Sequence, residues 1–121
     1  MTLLTSKDGQ AVATEAWVDV CPLDTLIPGR GVCALVAGLQ VAVFRIAGEE
    51  IYAISNFDPF SRAFVLSRGI VGSKAERLKV ASPIYKQSFD LDTGVCLDDA
   101  TVSVRTFEVR VCDGMVQVAS S

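Results

Sequence analysis

The chain has 121 residues, half of them hydrophobic, with fourteen acidic and eleven basic side chains and a formal net charge of −3. This length is enough for one domain with a real core, and the composition argues against disorder. Since no segment gathers a basic stripe and no apolar run approaches the ~20 residues of a membrane span, we expect no nucleic-acid partner and no membrane partner.

The absence of histidine narrows the possible chemistry. There can be no histidine general base, no histidine metal ligand and no Ser-His-Asp triad. The four cysteines are far apart and form no C-x-x-C pair; they are Cys21, Cys33, Cys96 and Cys112. We expect buried or half-buried free thiols, and a cysteine-ligated site only if the fold brings the four together.

The first fifteen residues are expected to be a flexible N-terminus that precedes one domain over residues 16–121. They contain a single lysine and no apolar run typical of a signal peptide. Together with the expectation of reduced thiols, this predicts a cytoplasmic protein.

From Trp17 onward the apolar residues alternate in the manner of β-strands. Residues 32–36 and 40–46 are valine-rich runs that predict a hairpin, and residues 50–55 predict the next strand. The alternation fails over residues 56–76, which predicts a long irregular stretch. The apolar residues within that stretch indicate that it is ordered and packed, and Gly69 and Gly72 are expected at turns with positive φ.

The C-terminal part of the chain continues the same pattern. Residues 77–81 and 88–91 predict two strands, and residues 107–112 and 115–119 predict a hairpin through Asp113-Gly114. No segment has a helical period of useful length. The sum predicts an all-β, antiparallel sandwich or small barrel.

Two segments resemble the cluster-binding loops of Rieske iron–sulfur domains. They read A-I-S-N-F-D-P-F over residues 53–60 and A-S-P-I-Y-K-Q-S-F-D-L-D-T-G over residues 81–94. In that family the loops read C-P-H or similar and C-P-x-H-G-x-x-F, and two thiolates and two imidazoles hold the two irons. The resemblance implies a Rieske-like β-sandwich with these two loops at its tip.

All four ligand positions of that family are replaced in this chain. The resemblance places the cysteine positions at Asp58 and Ser82 and the histidine positions at Phe60 and Tyr85. Because phenylalanine cannot bind iron, and serine and tyrosine are not normal ligands of this cluster, we expect that no cluster and no other metal binds here. Asp58 is instead expected to cap a turn through an Asx-type bond.

Over residues 17–118 the chain is also similar to a narrower family, the small subunits of NAD(P)H-dependent nitrite reductases, which are Rieske-like domains without these ligands. The segments L-S-R-G-I-V-G (residues 66–72) and S-P-I-Y-K-Q (residues 82–87) carry most of the resemblance. It implies a non-catalytic subunit without a cofactor of its own. The implied partner is a large subunit with FAD, sirohaem and an iron–sulfur cluster, which reduces nitrite to ammonia in nitrate assimilation.

Aromatic, aliphatic and basic side chains in or beside the two loops are candidate partner-docking residues: Phe57, Phe60, Arg62, Arg68, Ile84, Tyr85 and Lys86. As an alternative, the apolar ones fold inward and fill the space of the lost cluster, and the basic ones are solvated surface charge. Two other functions stay open. They are a free-standing interaction module with the same fold, and an electron-transfer protein whose cluster is held by the four cysteines.

Overall fold

The computed structural model describes residues 16–120, which form twelve β-strands and two short 3-10 turns (Leu23–Thr25 and Leu66–Arg68). Neither of these two turns has the length or the hydrophobicity of a membrane-spanning helix. The flexible N-terminus expected for residues 1–15 lies outside the described residues. The strands are β1 (Trp17–Pro22), β2 (Gly31–Val36), β3 (Leu39–Ala47), β4 (Glu50–Ser55), β5 (Phe57–Asp58), β6 (Ala63–Phe64), β7 (Ile70–Lys74), β8 (Arg77–Ala81), β9 (Ser88–Asp90), β10 (Thr106–Phe107), β11 (Val109–Cys112) and β12 (Met115–Ala119).

A four-stranded antiparallel sheet in the order β10-β4-β3-β2 lies at the centre of the fold. The predicted hairpin of residues 32–46 is confirmed as β2 and β3, and its two-residue turn has positive φ at Ala37 and Gly38. Successive side chains of β3 are buried on opposite faces of the sheet, since Val41 and Val43 belong to one hydrophobic cluster and Ala42 and Phe44 to another. The central sheet therefore separates two cores.

Each core is closed by a smaller antiparallel sheet. The sheet β1-β12-β11 covers the first cluster through Val116 and Val118. The sheet β7-β8-β9 covers the second cluster through Val80 and Phe89. The expected all-β, antiparallel fold is confirmed, as layered sheets.

The expectation of one irregular stretch over residues 56–76 is wrong. This stretch contains the small hairpin of β5 and β6 and then strand β7, which pairs with β8 along five residues. Strands β5 and β6 have two residues each, too few to show an alternation, and β7 ends in the polar run G-S-K. The predicted strand 107–112 is divided, because Phe107 pairs with β4 whereas Val109 pairs with β12.

The expected positive φ at Gly69 and Gly72 is also wrong, since neither glycine adopts it. Gly69 has a φ of −73°. A Cβ at this position would lie 2.4 Å from the carbonyl oxygen of Ala81. Close packing between the 3-10 turn and β8 therefore explains glycine at position 69, and backbone strain does not.

The four cysteines are free thiols in four separate places. Cys96 is buried and Cys21 half-buried, as expected. The expectation is wrong for Cys33 and Cys112, which are exposed because they lie at outward-facing positions of the alternation in β2 and β11. Among residues 16–120, no three His, Cys, Asp or Glu residues come together as a possible metal site. The structure therefore gives no support to a cysteine-ligated cluster.

Candidate functional site

The first of the two tip loops (residues 56–62) follows β4 and is anchored by the buried side chain of Asn56. Its amide nitrogen donates to Gln40 Oε1 at 3.2 Å, and its amide oxygen accepts a bond of 2.7 Å from the backbone N–H of Ser67. Asn56 thus connects the loop to β3 on one side and to the second 3-10 turn on the other.

Asp58 organises the rest of the first tip loop. Its carboxylate is fully buried, and Oδ1 accepts a hydrogen bond of 2.9 Å from the backbone N–H of Phe60. Oδ2 accepts a second bond of 2.9 Å from the hydroxyl of Ser61. The turn-capping role expected for Asp58 is confirmed.

The second tip loop (residues 82–87) follows β8 and reaches the first through Ser82. The buried Ser82 hydroxyl donates a hydrogen bond of 2.5 Å to Asp58 Oδ2, and it accepts one of 3.3 Å from the backbone N–H of Ile84. The second loop is closed on itself by a bond from Ser82 N–H to the carbonyl of Gln87 at 2.9 Å. The two positions that carry cysteine in Rieske domains are therefore joined directly.

The hydrogen bonds to Asp58 set its protonation. Burial alone would raise the pKa of this carboxyl group, but the donors from Ser82, Phe60 and Ser61 outweigh burial and hold the pKa below its ordinary value. Asp58 is therefore a buried carboxylate that neutral donors keep charged at neutral pH.

The two former histidine positions lie in different surroundings. Phe60 is half-buried and packs on the second core, with its ring centroid 6.1 Å from that of Phe89. Tyr85 is 62 % exposed and its neighbour Ile84 is 47 % exposed. Phe60 therefore packs inward, as the second alternative expects. That alternative is wrong for Ile84 and Tyr85, whose side chains stay exposed.

The other docking candidates lie at the surface around these loops. Phe57 is half-buried, and its ring lies 5.1 Å from that of Phe64, an exposed aromatic residue that was not among the candidates. The only sequence signal for Phe64 is its place in the loop region beside the former ligands. The side chains of Arg62, Arg68 and Lys86 are exposed.

Two of these basic residues have a left-handed backbone, with a φ of 62° at Arg62 and 67° at Lys86. Lys86 stands where the Rieske loop pattern C-P-x-H-G has its glycine. The second tip loop has therefore kept the backbone shape that suits glycine, although the residue is now lysine.

The residues at the four ligand positions do not fit a Rieske cluster. Such a cluster needs two thiolates and two imidazoles. Here Asp58 and Ser82 are bonded to each other, Phe60 has no donor atom, and the phenol of Tyr85 belongs to an exposed side chain. The arrangement instead gives two loops held together over a buried carboxylate, with apolar and basic side chains at their surface.

Comparison with known proteins agrees with the fold. The family described as the Rieske-like [2Fe-2S] domain matches residues 16–119. The chain therefore belongs to the Rieske-like domain family.

Within that family the similarity is more specific. The chain is 48% identical over 103 residues to the NADH nitrite reductase small subunit of Salmonella typhimurium, which covers 84% of this chain and 95% of that protein. The solution structure of NirD from E. coli superposes with a TM-score of 0.82 at 45% identity and covers 88% of this chain and 97% of that one. The chain belongs to the small subunits of NADH-dependent nitrite reductase.

A longer relative contains the same domain. The NAD(P)H nitrite reductase large subunit of Klebsiella oxytoca is 36% identical over 110 residues. That match covers 91% of this chain but 11% of the Klebsiella protein. In that relative, a domain similar to the whole described fold is part of a much longer polypeptide.

Proposed function

We propose that the chain is a non-catalytic, cytoplasmic subunit that docks on the large subunit of an NADH-dependent nitrite reductase and supports it. The observation that carries this proposal is the sealed tip. The hydrogen bond between Ser82 and Asp58 closes the former cluster site, and exposed aromatic, aliphatic and basic side chains surround it. A tip that is closed in this way and surrounded by such side chains supports a docking role rather than a redox role.

The proposal includes the absence of a cluster in this chain. It rests on the chemistry of Asp58, Phe60, Ser82 and Tyr85, which offers iron no thiolate and no imidazole. In this proposal FAD, sirohaem and an iron–sulfur cluster, which carry the six-electron reduction of nitrite, belong to the large subunit.

The choice of partner rests on the relatives. The small subunit of Salmonella typhimurium is similar over nearly its whole length, and the Klebsiella large subunit contains a similar domain within its own chain. The domain is covalently part of the reductase in the Klebsiella relative and a separate subunit in the Salmonella relative. We therefore expect it to occupy the same place in both assemblies.

The surface of the tip suits a protein partner. Phe64 and Tyr85 are more than half exposed, and aromatic residues of this kind are enriched at protein interfaces. The exposed charges of Arg62 and Lys86 beside them favour an acidic partner surface and are expected to increase the association rate more than the affinity.

Co-expression with the candidate large subunit tests the proposal. We expect one complex in size-exclusion chromatography, and faster nitrite-dependent oxidation of NADH or slower loss of activity with the chain than without it. A large subunit that is equally active and equally stable alone would contradict the supporting role. A pull-down that retrieves no reductase would favour an independent interaction module.

Metal content tests the missing cluster separately. Protein isolated without oxygen is expected to be colourless and to contain no stoichiometric iron. The visible spectrum of a two-iron cluster in such material would overturn this part of the proposal.

A further inference from the structure

Strand β2 is an edge strand of the central sheet. Within residues 16–120 no further strand pairs with its outer side. It pairs with β3 only, from Gly31↔Phe44 to Val36↔Leu39, without a register shift. Its sequence, G-V-C-A-L-V, contains no charged residue and no proline. Natural proteins protect such edges with charges, prolines or bulges, because a bare edge pairs readily with another strand.

Three other edge strands of the described fold have that protection, and the edge strand β10 has only two residues. Strand β1 has a bulge between Asp19 and Cys21, carries the charge of Asp19 and ends in Pro22. Strand β7 ends in Lys74, and β11 carries Arg110. The contrast indicates that the β2 edge is covered when the protein is assembled.

The backbone geometry of the hairpin shows which groups are available. In a two-residue hairpin the residues that flank the turn, here Val36 and Leu39, exchange hydrogen bonds, and the bonding then alternates along the strand. The N–H and C=O groups of Cys33 and Leu35 consequently point outward, and they have no backbone partner within residues 16–120. The Leu35 side chain beside them is 70 % exposed.

Two arginines flank a cleft at one end of the same edge. Arg30 directly precedes β2, Arg68 lies in the second 3-10 turn, and the cleft between them has a volume of about 350 Å³. The two segments are in close contact, because a Cβ at Gly31 would lie 2.4 Å from the carbonyl oxygen of Ser67. The backbone at Arg30 and at Arg68 is therefore held beside the cleft by two packed segments.

Neither of these arginines is neutralised within the described part of the chain. The ion pairs there involve Lys74 with Asp98 and Arg77 with Asp90, and both Arg30 and Arg68 are exposed. Guanidinium groups bind carboxylates through paired hydrogen bonds, so two free ones beside a cleft fit an acidic side chain.

We propose that an extended segment of the reductase large subunit adds as a further strand to the β2 edge and places an acidic side chain between Arg30 and Arg68. Main-chain bonds to Cys33 and Leu35 provide the pairing, apolar contact with Leu35 adds to it, and the two arginines set the register. This inference rests on the proposed function and deepens it by naming the surface and the chemistry of the partner segment.

The edge adjoins the proposed docking tip, which favours the large subunit as the source of this strand. Asn56, which anchors the first tip loop, also donates to Cys33 Sγ at 3.5 Å. A single partner can therefore contact the tip and the edge together.

Hydrogen exchange and binding measurements on the complex of the full chain with the large subunit test the proposal. The amides of Cys33 and Leu35 are expected to exchange rapidly in the free chain and at least ~10-fold more slowly in the complex. Leu35→Lys and Arg68→Glu are expected to weaken binding at least ~10-fold.

Two variants are matched controls. Ile70→Lys changes an equally exposed residue of β7, and Arg110→Glu changes an arginine that lies over Trp17. Both variants are expected to bind the large subunit like the wild type.

The outcomes separate this inference from the proposed function. If the wild-type chain binds but the two amides stay unprotected and Leu35→Lys binds normally, the strand addition is overturned and the proposed subunit role stands. If the wild-type chain does not bind at all, both are overturned. Concentration-dependent dimers of the free chain that Leu35→Lys abolishes would assign the edge to a second copy and overturn the large subunit as its occupant.

Discussion

The Ser82 hydroxyl donates to the Asp58 carboxylate at 2.5 Å, and this buried contact joins two loops whose bonded residues are 24 positions apart in the chain. In Rieske domains these two positions carry the thiolates that a metal cluster joins. Here a serine–aspartate hydrogen bond connects the same two loops. The tip can therefore keep its shape without a metal, as a docking surface requires.

The first prediction concerns the stability that this contact provides. Ser82→Ala removes a donor from a buried carboxylate, and hydrogen bonds to charged groups contribute about 1.5–3 kcal/mol. We expect the free energy of unfolding to fall by that amount in urea denaturation. The control, Ser73→Ala, changes an exposed serine of β7 and is expected to alter stability by less than about 0.5 kcal/mol. Equal effects of the two substitutions would show that the contact is not stabilising.

The second prediction concerns acid stability. Because the pKa of Asp58 is below its ordinary value in the folded chain, the unfolded chain takes up a proton first as the pH falls. The stabilisation by the charged Asp58 carboxylate is complete at pH values above about 3.9, the pKa of this group in the unfolded chain. It is lost as the pH decreases through the pKa of the folded chain. Asp58→Asn is expected to be less stable than the wild type at neutral pH but to lose less further stability on acidification.

Urea denaturation at a series of pH values from about 6 downward to about 2.5, which brackets the ordinary carboxyl pKa, measures this effect. Asp24→Asn changes an exposed carboxyl group in the first 3-10 turn and is the matched control, expected to keep the wild-type slope. An unchanged slope in Asp58→Asn would assign the acid sensitivity to other groups. Asp90 is one such group. Burial raises the pKa of its carboxyl group, but hydrogen bonds from Arg77, Thr93 and Asp92 outweigh burial and hold this pKa below its ordinary value.

The sequence was sufficient for the fold class because local patterns carry it. The valine-rich runs of β2 and β3 alternate with a clear period, and Asp113-Gly114 is a strong turn signal. The short strands β5 and β6 have no period to detect, so they were missed. Phe107 and Val109 looked like one strand because a change of sheet leaves the alternation intact.

The candidate site was only partly predictable, for a different reason. The turn-capping role of Asp58 is local and follows from an aspartate before Pro59. Its bond with Ser82 depends on how two distant loops meet, and no local pattern contains that information. The different burial of Phe60 and Tyr85 likewise depends on which side of each loop faces the core.

The third prediction concerns the backbone of the second tip loop. Lys86 has a φ of 67°, a conformation that costs a non-glycine residue about 1–2 kcal/mol. Lys86→Gly removes this cost but adds chain entropy to the unfolded state, so we expect a net gain of about 0.5 kcal/mol in the free energy of unfolding.

The control for this prediction makes the same chemical change in a strand. Lys74→Gly in β7 is expected to destabilise the chain by about 0.5–1 kcal/mol, because glycine weakens an extended segment. Opposite signs for the two lysine-to-glycine substitutions, measured by thermal and urea unfolding, would support the left-handed conformation at position 86. Destabilisation by both would contradict it.

The fourth prediction separates the two former histidine positions by what each substitution affects. Phe60 packs on the second core beside Phe89 but is half-buried, so Phe60→Ala is expected to lower the free energy of unfolding by about 2 kcal/mol, less than for a fully buried ring. Tyr85 is 62 % exposed, so Tyr85→Ala is expected to change stability by less than about 0.5 kcal/mol.

In the proposed complex the same Tyr85→Ala substitution is expected to weaken binding of the large subunit about tenfold or more, since exposed aromatic residues are frequent anchors at interfaces. Urea unfolding of the free chain and titration of the large subunit measure the two effects independently. A Tyr85→Ala chain with wild-type stability and wild-type affinity would remove Tyr85 from the docking surface, whereas a large loss of stability would mean that its ring packs inward after all.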